Sequence, residues 1–260
     1  FGLMGVINMA HGEFIMIGAY ATYVVQNIWK QIFPEAMFDW YFPAAILVSF
    51  LFTALLGVLL ERVIICRLYG RALDSLLVTW GISLVLQQLV RSVFGPANVS
   101  VSCPSFLDKN IHIFGMFSMS CKRLFIFGLA VVCCALIGFL MYRTRQGRNI
   151  RAAMQNRPMA ASLGVNTAAC DMMTFAVGSG FAGVAGCAIT FLGSIGPTVG
   201  QSYIVDSFMT VVVGGVGRIV GCITGSAVIG VGGPVFEFFT SASLGKVLIF
   251  IVVVIILQFR

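Results

Sequence analysis

Residues 41–60 read YFPAAILVSFLFTALLGVLL, an apolar run that contains no charged side chain. Such a run matches the roughly 20 residues that an α-helix needs to cross a bilayer. Hydrophobic residues make up 59% of the whole chain and charged residues 10%, against about 45–50% and about 25% in soluble domains. The sequence therefore predicts an integral membrane protein, with no room for a separate soluble domain.

Apolar segments of this kind recur along the chain. We expect helices at residues 12–28, 41–60, 75–94, 124–142, 171–192, 203–217, 221–240 and 246–259. The predicted fold class is all-α, a polytopic transmembrane bundle of about eight apolar segments in which residues 1–260 form a single membrane-spanning domain. Because the chain begins on Phe1 inside an apolar run and ends directly after another, we expect it to be truncated at both termini.

Basic residues are concentrated in two of the connecting loops. Residues 61–74 contain three arginines, and residues 143–157 contain five. Two apolar segments separate these loops, so both face the same side, which the positive-inside rule assigns to the cytoplasm. The net charge of +7 is therefore attributed to basic loops that set the orientation of the protein in the membrane, and not to a surface that binds nucleic acid.

The sixth predicted segment is short, and three glycines interrupt it between residues 214 and 217. Interrupted helices are tolerated where protein or water, rather than lipid, meets the backbone. A broken-helix region near residues 196–221 is one interpretation and would mark the translocation path; a tilted short helix that ends in a glycine turn is the other. Gly217, Gly221 and Gly225 recur at four-residue intervals and predict a face for close helix packing.

Polar side chains are few within the apolar segments, and each should face protein or water because lipid penalises it. Asn8, His11 and Glu13 stand at the start of the first segment, where they either line a cavity or cap the helix. Other residues that suit a polar substrate path are Thr79, Gln87, Gln88, Ser202, Asp206 and Ser207. For Asp206, solvation at the outer surface is the alternative.

The sequence argues against enzymatic chemistry and against a resident cofactor. No phosphate-binding loop is present, and no combination of nucleophile, base and metal ligands appears, so we expect neither a metal nor a catalytic residue. Cys103 and Cys121 share the outer loop of residues 95–123. A disulfide between them is one alternative and two free thiols are the other.

Four stretches of the chain resemble the permeases of the branched-chain amino acid class of ABC importers. They are GVINMAHGEF at residues 5–14, residues 76–96 with Thr79-Trp80-Gly81, QNRPMAA at residues 155–161, and residues 196–217 with Gly200-Gln201-Ser202-Tyr203. They follow the order of the family and together cover most of the chain. The second and fourth stretches are most similar to the urea-type branch.

The resemblance implies a permease subunit that carries urea across a bacterial-type inner membrane. ATP would bind to two separate ATPase subunits, and the other partners would be a second permease subunit and an extracytoplasmic solute-binding protein. The loop at residues 151–164 would form the coupling helix that docks into an ATPase, through Arg151, Arg157, Pro158, Ala160, Ala161 and Gly164. Pro158-Met159 replaces the acidic residue that often opens this motif in the family. Pro158 is predicted to break the helix-forming run of this loop, and Ala160 and Gly164, four residues apart, would present the small face that docking needs.

Two other functions compete with urea import. The nearer alternative is the same machine carrying branched-chain or other amino acids, for which a charged pair should line the path and meet the zwitterion. The remoter alternative is a passive channel or an ion-coupled carrier that works without ATP. Urea, being neutral, would instead need amides, hydroxyls and backbone carbonyls along its path.

Overall fold

The protein is built almost entirely of α-helices. The computed structural model describes residues 8–69, 71–104, 106–108, 110–113, 117–215 and 217–258. Its helices are α1 His11–Ile32, α2 Tyr41–Val63, α3 Ala72–Phe94, α4 Cys121–Arg143, α5 Arg145–Gln155, α6 Arg157–Ser162, α7 Thr167–Ile189, α8 Val199–Gly214, α9 Ile219–Phe239 and α10 Ala242–Gln258. Short 3-10 helices, Glu35–Trp40 and Ile65–Arg67, flank α2, and an antiparallel hairpin of β1 Asn110–Ile113 and β2 Phe117–Ser120 precedes α4.

Each of the eight predicted apolar segments coincides with a helix, namely α1 to α4 and α7 to α10. Five helical stretches of the described chain are long and apolar enough to cross a membrane. They are Met37–Arg67, Leu73–Phe94, Cys121–Arg143, Thr167–Ile189 and Ile219–Phe239. The polytopic helical bundle is therefore confirmed, and the small hairpin in the loop before α4 is an addition that the sequence did not predict.

The centre of the bundle is a close contact of α1 with α2 and α7. A Cβ atom added to Gly18 on α1 would lie 2.2 Å from the carbonyl oxygen of Gly183 on α7. One added to Gly186 would lie 2.0 Å from the carbonyl oxygen of Ile15. The Gly18 carbonyl also accepts a hydrogen bond of 3.1 Å from the Ser49 hydroxyl on α2. The small residues therefore allow three helices to meet backbone to backbone.

Helices α8, α9 and α10 form a second lobe that joins the centre through α8. A Cβ atom added to Gly200, in the first turn of α8, would lie 2.5 Å from the carbonyl oxygen of Gly12 on α1. At its other end α8 meets α9, where a Cβ atom added to Gly221 would lie 1.8 Å from the carbonyl oxygen of Gly214. Gly225 likewise faces α8, so Gly221 and Gly225 do pack as predicted.

Gly217 does not lie on this packing face, and the prediction of a three-glycine face is wrong there. Helix α9 begins only at Ile219, and the nearest atom to an added Cβ at Gly217 is Met154 Cε at 3.5 Å. Instead, Gly215 and Gly217 have φ angles of 88° and 84°, a left-handed backbone that glycine adopts at little cost. The region near residues 196–221 thus contains a short helix, α8, that ends in a glycine turn.

The loop before α4 packs over the C-terminal end of α1 and the N-terminal end of α2. Its segment around Val99 pairs with Ile195 through two backbone hydrogen bonds of 2.9 and 2.8 Å. The Ser102 carbonyl accepts a hydrogen bond of 3.0 Å from Gln26 Nε2 on α1. Cys103 and Cys121 are free thiols, and burial raises the pKa of the Cys103 thiol.

The contact between α1 and α7 makes a direct stability prediction. Gly18→Ala places a methyl group within 3 Å of the Gly183 backbone, so we expect it to destabilise the protein by about 1–3 kcal/mol, as overpacking does in other cores. The thermal unfolding temperature in detergent measures this effect. Gly128→Ala on α4 is the matched control, because nothing lies within 4 Å of the added methyl group, and it should leave that temperature unchanged or slightly higher.

Candidate functional site

A buried carboxylate joins α1 to α3. Glu13, in the first turn of α1, is 1% exposed. Its Oε1 atom accepts hydrogen bonds of 2.8 Å from the Ser83 hydroxyl and of 2.8 Å from Gln87 Nε2. Gln87 Nε2 also donates to the Ser83 hydroxyl at 3.2 Å. One oxygen of this acid is therefore held by two side chains of the same face of α3.

The second oxygen of Glu13 points toward α8. A Cβ atom added to Gly200 would lie 3.0 Å from Glu13 Oε2, and this oxygen has no hydrogen-bond partner within the described part of the chain. Asn8, close to Glu13 in the sequence, is also buried. Its Oδ1 atom accepts a hydrogen bond of 3.0 Å from Ala10 N, and its Nδ2 atom has no hydrogen-bond partner among the described residues. The start of α1 therefore carries one unused acceptor and one unused donor in a buried place.

The other predicted residues near this cluster have defined places. The Thr79 hydroxyl on α3 accepts from Met9 N at 3.1 Å and donates to the Ser75 carbonyl at 2.7 Å, so it fastens the segment before α1. His11 is half-buried, with its ring centroid 5.7 Å from that of Phe14. Gln88, next to Gln87 on α3, is exposed. Asn8, Glu13, Thr79 and Gln87 are thus brought together at the α1–α3 contact, and Gln88 is not.

The predicted polar residues of α8 form a separate group. Ser202 and Asp206 line a groove between α8 and α10, opposite Lys246. Ser207 lies outside this groove, and its hydroxyl donates to the Tyr203 carbonyl of the same helix at 2.8 Å. The substrate-path prediction therefore falls on two places in the fold, one between α1 and α3 and one between α8 and α10.

The predicted coupling segment is a helix–break–helix between α4 and α7. The sequence predicted the break at Pro158, but α5 ends at Gln155 and the chain is extended at Asn156, with a φ angle of −153°. Pro158 lies instead in the first turn of α6, where a proline costs no helical hydrogen bond. The Asn156 side chain caps α6 by accepting a hydrogen bond of 3.0 Å from Met159 N.

Arg157 fastens α6 to the membrane helices. Its guanidinium pairs with the carboxylate of Asp171 in the first turns of α7 and lies 4.7 Å from the centroid of the Tyr69 ring. Burial, with the negative charges of Asp171 and Glu61, raises the pKa of the Tyr69 hydroxyl. The phenol therefore remains neutral and supplies a flat face for the guanidinium.

The exposed face of α6 is apolar and differs from the small face that the sequence predicted. Ala160 is buried against the protein, at 3% exposure, and does not face outward. Met159 and Leu163 are 58% and 75% exposed, with Ala161 exposed beside them. Gly164 is exposed with a φ angle of 84° and ends the segment. The apolar side chains exposed in this segment are therefore those of Pro158, Met159, Ala161 and Leu163.

Arg151 is the remaining residue of the predicted coupling set, and it faces α4. Its guanidinium lies 5.0 Å from the centroid of the Tyr142 ring. A cation placed over an aromatic face gains a modest electrostatic attraction. Arg151 therefore anchors α5 to the end of α4, as Arg157 anchors α6 to α7.

Comparison with known protein families identifies one that matches nearly the whole chain. The family model described as the branched-chain amino acid transport system permease component matches residues 1–257. The chain belongs to this family. Family membership and the five apolar helices make it an integral protein of the inner membrane. No solved structure matches the chain.

Three curated members of the family illustrate the similarity. The chain is 28% identical to the high-affinity branched-chain amino acid transport system permease protein LivH of Salmonella typhimurium, over 99% of this chain and 84% of that protein. It is 29% identical to the corresponding protein BraD of Pseudomonas aeruginosa, over 89% and 76%. It is 24% identical to the probable branched-chain amino acid transport permease protein LivH of Methanocaldococcus jannaschii, over 92% and 74%. All three names describe branched-chain amino acid transport.

Sequence reasoning missed two residues of these sites. Ser83 completes the clasp on Glu13, and its signal is the four-residue spacing of Ser75, Thr79, Ser83 and Gln87, which places all four on one buried face of α3. Lys246 stands across the groove from Asp206. No local pattern indicates that residue, because its position depends on the packing of α10 against α8.

The Glu13 clasp predicts different effects for two adjacent amides. Gln87→Ala removes a buried donor from the carboxylate, so we expect it to lower the free energy of unfolding by about 1–2 kcal/mol, the range of a lost hydrogen bond between membrane helices. Gln88→Ala is the matched control, since Gln88 is exposed on the same helix and its loss should change stability by less than about 0.5 kcal/mol. Unfolding of the purified protein in detergent measures both. Equal effects of the two variants would contradict the clasp.

Proposed function

We propose that the chain is the membrane-spanning permease subunit of an ABC importer for branched-chain or other amino acids. A second permease subunit, two ATPase subunits that bind ATP, and an extracytoplasmic solute-binding protein complete the proposed machine. The names of the relatives support the amino acid cargo. Urea, the cargo that the resemblance first implied, has no support from those names and becomes the comparison in the test.

The observation that carries the ATPase partnership is the apolar face of α6. Met159, on α6, and Leu163, directly after its last residue, are large exposed apolar side chains, and residues 143–157 of the same loop contain five arginines. Exposed apolar residues that are rimmed by charge are typical of a protein-binding surface. The Arg157–Asp171 ion pair connects this surface to α7, so a docked ATPase can move the membrane helices through it.

A continuous chain of close contacts leads from α6 to the buried polar cluster. The Arg157–Asp171 pair connects α6 to α7, and the backbone contact of Gly183 with Gly18 connects α7 to α1. Helix α1 then contacts α8 at Gly12 and carries Glu13 beside that crossing. Displacement of α6 would therefore reach both groups of predicted path residues through one ion pair and two backbone-to-backbone helix contacts.

Transport by the reconstituted complex tests the cargo. We expect proteoliposomes that contain all the subunits to accumulate labelled leucine when ATP is present, while labelled urea stays at the level measured without ATP. A variant ATPase that binds but does not hydrolyse ATP should abolish leucine accumulation. Uptake of urea in preference to leucine would overturn the amino acid assignment, and uptake that persists without ATP hydrolysis would favour the channel or carrier alternative.

The α6 surface predicts an assembly defect. Leu163→Glu places a charge on an apolar contact that would be desolvated on docking, so we expect recovery of the ATPase with the purified permease to fall by about tenfold or more. Gln146→Glu is the matched control, because it makes a similar change at an exposed position of α5 away from this face. Co-purification measures both variants. Normal recovery with Leu163→Glu would show that the ATPase does not use this face.

A further inference from the structure

A groove between α8 and α10 combines two opposite charges with an apolar wall. It has a volume of about 380 Å³, within the range of small-ligand sites. Its polar residues include Ser202 and Asp206 on α8 and Lys246 in the first turns of α10; Val205, Met209 and Phe250 supply apolar surface. Asp206 is half-buried and Lys246 is exposed, so the groove is open on one side.

Neither charge forms an ion pair within the part of the chain that the structure describes. The ion pairs of the described chain are Arg71–Asp74, Lys122–Asp108 and Arg157–Asp171, and neither Asp206 nor Lys246 takes part in one. A carboxylate and an ammonium on apolar helices are disfavoured in contact with lipid. This groove therefore faces water or protein, which suits a translocation path.

A ligand that satisfies both charges must itself carry both. An amine alone would leave Lys246 without a partner, and a carboxylic acid alone would leave Asp206 without one. A neutral molecule such as urea would gain nothing from either charge. The zwitterionic end of an amino acid meets both, and its aliphatic side chain can cover the wall of Val205, Met209 and Phe250.

We infer that the groove between α8 and α10 binds an aliphatic amino acid, with Asp206 accepting from the α-ammonium group and Lys246 donating to the α-carboxylate. This inference rests on the proposed function, because it assigns a site to the cargo of the same importer. Met209, at the floor of the groove, packs with Ile249 and Val253 of α10. The ligand would thus lie on the contact that joins the two helices.

Binding of labelled leucine to the complex of the two permease subunits and the two ATPase subunits in lipid nanodiscs tests the assignment; the solute-binding protein is left out because it would itself bind leucine. Leucinol, which lacks the carboxylate, and 4-methylpentanoate, which lacks the amine, serve as competitors. For the wild-type complex we expect each to compete more weakly than leucine by roughly three- to tenfold, a modest factor because charges in an open groove are screened by solvent.

Two variants and a control separate recognition from folding. Asp206→Asn should weaken leucine binding by about three- to tenfold and abolish the preference for leucine over 4-methylpentanoate. Lys246→Met should weaken leucine binding by a similar factor and abolish the preference for leucine over leucinol. Glu237→Gln is the matched control, because Glu237 is an exposed acid beside the turn into α10 and does not line the groove; it should bind all three ligands as the wild type does.

The outcomes distinguish this inference from the proposed function. Unchanged preferences in Asp206→Asn and Lys246→Met overturn the groove assignment, and so does a parallel loss of all three ligands, which indicates a structural defect. No detectable leucine binding to the wild-type complex overturns it as well. ATP-driven leucine uptake by the wild-type complex together with its solute-binding protein would leave the proposed function standing, whereas the absence of that uptake would defeat the proposed function itself.

Discussion

The direct contact of the α1 backbone with α7 is the constraint on which the rest of the structure depends. Because Gly18 meets Gly183 without any side chain between them, α1 lies deep enough for Glu13 to reach Ser83 and Gln87 on α3. The same depth brings Gly12 against Gly200 and so positions α8. A single added methyl group in this contact would separate the elements that form both polar groups.

The helices were predictable from the sequence because a bilayer imposes a length and a polarity on each of them. Long uncharged runs such as residues 41–60 have no other stable arrangement, so all eight segments appear as helices. The coupling segment was less predictable in detail. Pro158 suggested the point of the break, whereas the Asn156 cap and the extended backbone determine it, and a proline in a first turn is compatible with the helix.

The polar sites could be predicted by residue type but not by partner. Glu13, Gln87 and Asp206 are conspicuous because carboxylates and amides are rare in apolar segments. Which of them meet depends on how distant segments pack, and nothing local to Lys246 or Ser83 specifies that. At Gly217 the regular glycine spacing wrongly predicted a packing face. The glycine is needed there because the turn has a left-handed backbone.

The glycine crossing of α1 and α8 gives α8 the properties of a lever. Gly12 and Gly200 meet backbone to backbone, so the crossing can act as a pivot, close to one end of the helix. At about 1.5 Å per residue, a tilt of about 10° about Gly200 would carry Gly214 by roughly 4 Å but Asp206 by less than about 2 Å. A large displacement of the end of α8 that joins α9 would thus produce only a small displacement of the residues that line the groove.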